Sequence, residues 1–359
     1  MNAVPTRCDV SVVLCTYNRA ERLQPALDAL LAQSGSVEYE ILVVDNNSTD
    51  ATAAVVGAAA ERAGGRVRYV FEPRQGLSDA RNRGIDLARA PIIAFSDDDV
   101  RVAPDWVLHI VRAFDANPGV DYVGGRVLPR WLQPPPRWLT TAHWSPLALQ
   151  EYGTQRLVSS RERAICLVGA NLAFRRHIFD RVGRFTPELG RIKDGIGSTE
   201  DHDMQIRIWR AGMRGLYEPS IVAEADVSPD RMMKAYHRRW HRGHGRYCAA
   251  MRLRELVPAD MGPMSEPPDL VSLFGAPAFV YADLPRLAIL WVRALVRRED
   301  TFFYGNKLRH VRSYLRACRE AHPAKGVLGA AAEIVAFAGA YRRKRSARKR
   351  KGSPSSLAA

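Results

Sequence analysis

Three consecutive acids follow an apolar run near residue 100 and could do chemistry together. The sequence is Ser96-Asp97-Asp98-Asp99, and because like charges repel, such a cluster needs a compensating cation wherever it is buried. Asp97 and Asp99 stand at alternate positions and can face one side of a strand end. Hard oxygen ligands at that spacing suit Mg²⁺ or Mn²⁺ shared with a diphosphate. The cluster therefore predicts either a divalent metal site or a solvated acidic loop.

Two further groups of acids follow predicted turns. Asp45 comes after the apolar residues 41–44, and its carboxylate could accept hydrogen bonds from a nucleobase or ribose, or form an Asx turn that caps the next helix. Glu200 and Asp201 follow the glycine-rich residues 190–197 and precede a helical pattern. A carboxylate at a helix start beneath a flexible loop is well placed as a general base. Simple helix capping by Thr199 and its neighbours is the alternative.

Alternating strand and helix patterns would position these acids. Apolar runs predict four strands, at residues 10–15, 41–44, 67–71 and 92–95. Helical spacing follows each run, with Ser78 as the expected cap of a helix ending near Ala90. This alternation predicts βαβ units and a parallel sheet, in which ligands bind outside the carboxyl ends of the strands. Residues 128–146, rich in proline and tryptophan, predict an irregular loop.

The composition is that of a globular protein with a strongly basic surface. Its 359 residues carry 53 Lys and Arg against 38 Asp and Glu, a formal net charge of +15, so phosphates, nucleic acid or an anionic membrane are the expected kinds of partner. Five cysteines without a CxxC pair argue against a disulfide scaffold or a zinc ribbon and favour a reducing compartment. No secretory signal is evident at the start. No stretch reaches the roughly 20 apolar residues of a membrane-spanning helix.

An ordered series of motifs resembles the inverting glycosyltransferases of family 2, whose catalytic domain has the GT-A fold. The series is Cys15-Thr16-Tyr17-Asn18-Arg19, Val43-Val44-Asp45-Asn46-Asn47-Ser48-Thr49-Asp50, Gly76-Leu77-Ser78-Asp79-Ala80-Arg81-Asn82-Arg83-Gly84, Asp97-Asp98-Asp99, Gly169-Ala170-Asn171 and Glu200-Asp201. The match covers about residues 9–247, and the order and spacing of the motifs together are highly specific. The implied fold is α/β, a Rossmann-like, mostly parallel central sheet flanked by helices. Amphipathic spacing further along the chain adds a C-terminal helical extension.

The resemblance implies roles in donor binding for the matching residues. These are Thr16, Tyr17, Asn18, Asp45, Arg81, Asn82, Asp97, Asp98, Gly169, Ala170 and Asn171. Asp45 would lie on the base of the nucleotide, and residues 169–171 would line the sugar pocket. Asp97 and Asp99 match the DxD motif, which holds a divalent cation, Mn²⁺ or Mg²⁺, together with the donor diphosphate.

The resemblance also implies the reaction. Asp201 matches the usual catalytic base, with Glu200 before it in the ED motif. The implied enzyme is a hexosyltransferase-type glycosyltransferase that moves a single sugar from a nucleotide-sugar, with UDP the expected nucleotide, to a hydroxyl of a polysaccharide or lipid-linked precursor. A QxxRW motif lacks its Gln here, near Trp240, which favours a non-processive enzyme. A further metal-ligand His of the family is also missing, so Glu224 or Asp226 could replace it, or the metal relies on the DxD acids and phosphate oxygens.

We expect three segments along the chain. They are a GT-A catalytic domain at residues 1–250, an amphipathic helical extension at 251–341 and a basic, disordered tail at 342–359. The tail could be solvated, contact anionic lipid or bind nucleic acid. The amphipathic stretches at 284–296 and 327–341 favour lipid over nucleic acid. We therefore expect a cytoplasmic enzyme, peripheral on the inner face of the cell membrane.

Three histidines, His237, His241 and His244, share one face of a predicted helix and could bind metal. The surrounding arginines disfavour a dication, so a basic face that meets phosphate is the simpler interpretation. The alternative function for the whole chain is a basic nucleic-acid- or membrane-binding protein on an inactive GT-A scaffold. No nucleic-acid-binding signature is evident, and the intact acids argue for an enzyme, so we expect no nucleic-acid partner.

Overall fold

The computed structural model describes residues 8–193, 195–196, 198–251, 271–322, 329 and 331–340. Among these, the residues up to Trp240 form one compact unit and those from His241 onward form a second. The predicted basic tail lies outside the described residues, as do Gly197 and parts of the predicted amphipathic stretch at 327–341.

The first unit alternates strands and helices. Its strands are β1 (Val10–Thr16), β2 (Tyr39–Asp45), β3 (Val67–Phe71), β4 (Ile92–Asp97), β5 (Val100–Val102), β6 (Tyr122–Trp131), β7 (Leu157–Ser159), β8 (Leu172–Arg175) and β9 (Gly215–Val227). Its helices are α1 (Ala20–Leu31), α2 (Thr52–Arg62), α3 (Leu77–Leu87), α4 (Trp106–Ala116), α5 (Ile178–Val182) and α6 (Glu200–Arg210). Helix α7 (Lys234–Met251) begins in this unit and continues into the second.

These nine strands form one sheet in the order β3-β2-β1-β4-β8-β6-β9-β5, with β7 also paired to β9. Parallel pairs join β1 to β2 and β4, β2 to β3, and β6 to β9. Antiparallel pairs join β8 to β4 and β6, and join β5 and β7 to β9. Strands β1, β2, β3, β4, β6 and β9 therefore run one way and β5, β7 and β8 the other. The predicted α/β class and mostly parallel sheet are confirmed.

Both faces of the sheet are buried at β1, which explains its apolar run at residues 12–15. Val12 and Leu14 face a core that includes side chains of α1, α2 and α4. Val13 and Cys15 face a second core with side chains of α3, α5 and α6. Successive residues of a strand point to opposite faces, so a strand covered on both sides is apolar at every position.

Strands β6 and β9 had no clear sequence signal. The predicted loop at 128–146 begins too early, because β6 continues to Trp131 and pairs with β9. The register of this pair shifts between Gly124 and Arg126. A Cβ on Gly125 would lie only 1.8 Å from the carbonyl oxygen of Ile221, so the irregular pairing requires glycine there. Such an interruption hides the strand from a periodicity argument.

The expected cap at Ser78 is also wrong. Helix α3 starts at Leu77 with Gly76 as the preceding residue, so Ser78 lies inside the first turn. Its hydroxyl donates a hydrogen bond to the carbonyl oxygen of Thr186 at 2.9 Å. The serine joins α3 to a distant segment, a role that local sequence does not reveal.

The second unit contains the short antiparallel strands β10 (Ser272–Leu273) and β11 (Ala276–Pro277) and two long helices, α8 (Ala278–Arg297) and α9 (Thr301–Ala321). Helices α8 and α9 pack together, and Asp300 caps α9 by accepting the Phe303 N–H at 3.0 Å. Residues 331–340 are helical. Across the part of the chain that the structure describes, no helix combines the length and the apolar character needed to cross a bilayer.

Candidate active site

The loops after β1 and β2 are tied together by Asn18. Its backbone N–H donates to the Ser48 hydroxyl at 2.9 Å, and its side-chain oxygen accepts the Thr49 N–H at 2.7 Å. Asn18 has a φ of 49°, a left-handed conformation that asparagine tolerates better than most residues. Thr16 and Asp45 are register partners at the ends of these strands. The predicted nucleotide residues therefore lie along one edge of the sheet.

The Asp45 carboxylate is buried and hydrogen-bonded through both oxygens. Oδ1 accepts the Ser48 N–H at 2.9 Å, and Oδ2 accepts the Tyr69 hydroxyl at 2.8 Å. Burial and the bond to Asp45 raise the pKa of Tyr69 to about 12. Asp45 thus stabilises the turn after β2, but it does not cap the next helix, because α2 begins only at Thr52. Tyr69, an exposed aromatic residue, and the half-buried Tyr17 add ring surfaces to this edge, and Tyr69 had no sequence signal.

The acidic triplet is neutralised by two arginines. Arg19 Nη1 lies 3.0 Å from Asp98 and 3.1 Å from Asp99, and Arg231 Nη1 lies 3.2 Å from Asp99. Asp98 and Asp99 thus share Arg19, whereas the sequence suggested that Asp97 and Asp99 form the pair. Strand β4 ends at Asp97 and the next two residues form a turn, so strand alternation does not continue through the triplet.

Burial and nearby charges shift the pKa values of Asp98 and Asp99 in opposite directions. Burial, strengthened by the charge of Asp99, raises the pKa of Asp98 to about 6 despite Arg19. Burial alone would also raise the pKa of Asp99, but Arg231, Arg19 and Arg191 outweigh it and hold that pKa below its usual value. Asp99 therefore carries its negative charge at neutral pH and is suited to a cation.

Arg81 connects the end of β4 to the start of α6. Its Nη1 donates to Glu200 Oε1 at 2.7 Å, and its Nη2 lies 3.5 Å from Asp97. Burial disfavours the charge of Arg81, yet Glu200, Asp97 and Asp201 raise its pKa above the usual range. Gly169 packs directly on the guanidinium, since an added Cβ would lie 2.8 Å from Nη2. Arg81 is thus buried beneath the site and positions its carboxylates.

Asp201 lies in the first turn of α6, at the mouth of this network. Its Oδ2 accepts the Gly169 N–H at 2.9 Å, and its Oδ1 accepts the His202 N–H at 2.8 Å. The side chain keeps 15% of its surface exposed. Thr199 makes no side-chain cap to α6, so the capping alternative is not observed for that residue.

Glu200 differs sharply from its neighbour Asp201. It is buried, and burial together with the Asp201 charge raises its pKa to about 7, although Arg81 opposes this shift. Because Glu200 is enclosed, its action on the site passes through Arg81.

Two asparagines that were predicted to belong to the donor site use their side-chain amides for hydrogen bonds within the fold. Asn171 is buried, accepts the Trp106 indole N–H at 2.7 Å and donates to two backbone carbonyls, so its side chain does not face the site as expected. Ala170 is also buried. Asn82 exchanges two hydrogen bonds of 2.9 Å with the backbone of Phe185. An amide can serve as ligand contact or as internal brace, and the motif alone does not distinguish them.

The missing family His has no carboxylate replacement that is free of arginine. Asp226 is held by Arg130 at 2.5 and 3.0 Å and lies 3.7 Å from Arg101. Glu224 is exposed and is the register partner of Arg101. Arginine contacts do not distinguish these two acids from Asp99, which is itself paired with Arg19 and Arg231.

Sheet pairing and the Arg81 ion pairs place these acids near the carboxyl ends of the parallel strands, the region where α/β sheets bind ligands; we refer to the region around Asp45, Asp97, Asp99 and Asp201 as the strand-end crevice. Strands β2 and β4 lie on either side of β1, so Asp45 and Asp97 end parallel strands that are separated by one strand. Arg81 then links Asp97 to the first turn of α6, where Asp201 lies.

Comparison with known proteins matches part of the chain to an enzyme family. Residues 11–183 match the family model described as glycosyl transferase family 2. These residues form a glycosyltransferase family 2 domain, which confirms the predicted family and enzyme class at the level of the domain.

Individual relatives are glycosyltransferases as well. The chain is 28% identical over 213 residues to a glucosyl-dolichyl phosphate glucuronosyltransferase of Haloferax volcanii, covering 58% of this chain and 66% of that protein. It is 40% identical over 107 residues to validoxylamine A glucosyltransferase of Streptomyces hygroscopicus subsp. jinggangensis, covering 29% and 25%. The chain thus spans just under two thirds of the first relative and a quarter of the second.

A solved structure shows the same fold. The mannosyltransferase PcManGT from Pyrobaculum calidifontis, in complex with GDP-Man and Mn²⁺, superposes with a TM-score of 0.55 and 22% identity, covering 88% of this chain and 87% of that one. The predicted GT-A architecture is confirmed.

Proposed function

We propose that this protein is an inverting glycosyltransferase that moves a single sugar from a nucleotide-sugar to an acceptor hydroxyl. The observation that carries the proposal is the Arg81 network, which brings Asp201 to the end of β4, where Asp97 and Asp99 lie. A proton acceptor and a cation-binding acidic cluster are the two groups that displacement of a nucleotide diphosphate requires.

Asp201 acts as the general base. Its carboxylate takes the proton of the acceptor hydroxyl while that oxygen attacks the anomeric carbon on the face opposite the leaving diphosphate. One displacement inverts the anomeric configuration. The N–H groups of Gly169 and His202 fix the orientation of the carboxylate. Base catalysis of this kind contributes on the order of 10²- to 10⁴-fold.

Asp97 and Asp99 fit a divalent cation. Asp97 keeps 31% of its side chain exposed, and Asp99 is held in its charged form, so the pair offers the hard oxygens that Mn²⁺ and Mg²⁺ prefer. When bound, the cation neutralises charge on the diphosphate. Arg19 and Arg231, anchored on Asp99, place fixed positive charge beside the leaving group and lower the free energy of its departure. The Mn²⁺ in the mannosyltransferase complex supports this assignment.

The donor is a nucleotide-sugar, and we propose a UDP-sugar. Asp45 and Tyr69 form the wall for the base and ribose, with Tyr17 and Asn18 beside them. The GDP-Man of the mannosyltransferase complex supports the nucleotide-sugar class and makes GDP the competing nucleotide.

The acceptor is a lipid-linked or cell-surface saccharide at the inner face of the cell membrane. The dolichyl phosphate in the name of the Haloferax relative supports a lipid-linked acceptor. Helix α8 supports a membrane location, because Ile289, Val292 and Val296 share one helical face and are exposed, Val296 to 79%. Arg293 and Arg297 on the same helix can meet anionic headgroups.

A donor panel tests the function directly. The full chain is incubated with UDP-, GDP- and dTDP-sugars, and release of nucleotide is measured with Mn²⁺, with Mg²⁺ and with EDTA. We expect release from one nucleotide class, loss of it in EDTA and recovery when the cation is restored. Equal release in EDTA would exclude the metal assignment. A chain that binds donors in thermal-shift assays but never releases nucleotide, even with mixed saccharide acceptors, would indicate an inactive scaffold.

A further inference from the structure

A second cluster of ligating side chains lies in the second unit, formed by His244 and Cys248 of α7 and His310 of α9. One ligand atom of each residue lies within 4.8 Å of the other two. Cys248 and His310 are buried and His244 is half-buried. We propose that these three side chains bind a Zn²⁺ ion. This site goes beyond the proposed transferase function and does not depend on it.

Close packing of the two helices sets the spacing of the ligands. His244 and Cys248 are four residues apart, so they lie on one face of α7. Gly245 lets α9 approach, since an added Cβ would lie 2.4 Å from the carbonyl oxygen of His310. The Ser313 hydroxyl donates to the carbonyl oxygen of Arg242 at 2.7 Å and joins the same two helices. The ligands are therefore held on rigid elements at short range.

The ligand atoms of these three side chains favour Zn²⁺ over the Mn²⁺ or Mg²⁺ proposed for the strand-end crevice. Two imidazoles and one thiolate are ligands that Zn²⁺ prefers, with water in a fourth, tetrahedral position. Cys248 is not part of a disulfide. On binding, its thiol releases a proton to solvent and the thiolate coordinates the ion. Mg²⁺ and Mn²⁺ favour carboxylate oxygens instead.

The positive charge nearby does not prevent binding. The thiolate cancels one of the two charges of the ion. Arg246, which follows His244 by two residues, lies 3.7 Å from Glu320, and Arg242 is exposed to water. High-dielectric solvent weakens the repulsion from such exposed arginines.

The histidine face expected from sequence is not the ligand set. His237 packs edge-on to Trp138, with ring centroids 5.0 Å apart, and burial lowers its pKa to about 4. His244 instead meets Cys248, one turn further along, and His310 from another helix. The spacing of histidines within one helix could not show a third ligand that is 66 residues away.

Cobalt spectroscopy and metal analysis test the site in the full chain. The protein is loaded with Zn²⁺ or Co²⁺ and dialysed, and metal content and absorption spectra are measured. We expect about one retained Zn²⁺ per chain, and a thiolate-to-Co²⁺ charge-transfer band, which carboxylate ligands cannot produce. Cys248→Ser should lose the band and at least about tenfold in zinc affinity.

Cys318→Ser is the matched control, because Cys318 is a buried cysteine of α9 outside the cluster. It should keep both the metal and the band. If Cys248→Ser fails to fold, His244→Asn removes the less buried ligand instead; it keeps the thiolate, so its readout is the zinc affinity, which should fall at least about tenfold. Wild-type protein without the band, or a folded ligand variant that keeps the band and the zinc, would overturn the proposal.

Discussion

Replacing Asp201 with Asn isolates the proposed base with little change of shape. The amide oxygen can still accept one of the two backbone N–H groups, from Gly169 or His202. The amide nitrogen faces the other N–H and cannot accept it, which costs about 1 kcal/mol of the free energy of unfolding. Loss of the charge at the start of α6 costs a further 0.3 to 1 kcal/mol or so. The fold should therefore persist.

Turnover should fall far more than stability. Removing a general base costs on the order of 10²- to 10⁴-fold in kcat, which corresponds to about 3 to 5 kcal/mol in the activation free energy at 1.36 kcal/mol per tenfold. The KM for the donor should stay close to that of wild type, because the carboxylate acts on the acceptor. Steady-state kinetics with varied donor, together with thermal unfolding, measure both quantities.

Asp203→Asn is the matched control for this experiment. Asp203 lies in the same first turn of α6, but its carboxylate accepts bonds from Thr186 and Arg207 instead of facing the crevice. Asp203→Asn should lose about as much free energy of unfolding as Asp201→Asn and should keep the kcat of wild type. If Asp201→Asn retains kcat within about tenfold of wild type, or if both variants lose turnover equally, Asp201 is not the base.

Three further predictions concern the network, its titration and the membrane face. Gly169→Ala places a methyl group 2.8 Å from the Arg81 guanidinium; we expect a loss of about 1 to 3 kcal/mol in the free energy of unfolding and a lower kcat, and a variant equal to wild type in both would contradict the role of Arg81. Glu200 has a pKa of about 7, raised from 4.5 by burial, so the folded state binds its proton more tightly than the unfolded state. The stability it contributes is complete below pH 4.5 and is lost as the pH rises to about 7. Between pH 4.5 and about 7, the melting temperature of wild type should therefore fall relative to that of Glu200→Gln, and above this range the difference should stay constant. A difference that is the same at every pH, measured by scanning fluorimetry, would refute the raised pKa of Glu200. Finally, the double substitution of Ile289 and Val296 by Glu should reduce flotation with anionic liposomes without altering release of nucleotide from the donor, and undiminished flotation would exclude this face of α8 as the contact.

Three of the four strands nearest the N-terminus, β1, β2 and β4, could be predicted because they are buried on both faces. β1, β2, β3 and β4 appear as continuous or short apolar runs of the right length, and the acids at their ends are visible in the sequence. β6 was missed because the glycines at its register shift and the polar residues towards Trp131 break the pattern. Its partners β8 and β9 come from distant parts of the chain, and no local signal reports such pairing.

The candidate site, like the sheet, has a part that local sequence patterns predict and a part that they do not. Asp97, Asp99 and Asp201 stand at element ends, where local patterns are informative. The pairing of Arg231 with Asp99 joins residues 132 positions apart, and Arg81 is 119 positions from Glu200. Such contacts depend on how the elements pack. The internal hydrogen bonds of Asn82 and Asn171 could not be predicted for the related reason that a motif gives the type of a side chain and not the direction in which it points.

The hydrogen bonds that Asn18 makes to Ser48 and Thr49 have a consequence for how a donor is received. Because the two loops are already fastened to one another when the chain folds, an incoming nucleotide does not have to immobilise them, and little conformational entropy is lost there on binding. On the opposite rim, a buried guanidinium reaches α6 from α3, and Asp201 and Asp203 bond the same turn to Gly169 and Thr186. Local opening of α6 would therefore impair sugar transfer first and leave the affinity for the nucleotide nearly intact. As the protein is heated, transfer should be lost at a lower temperature than nucleotide binding.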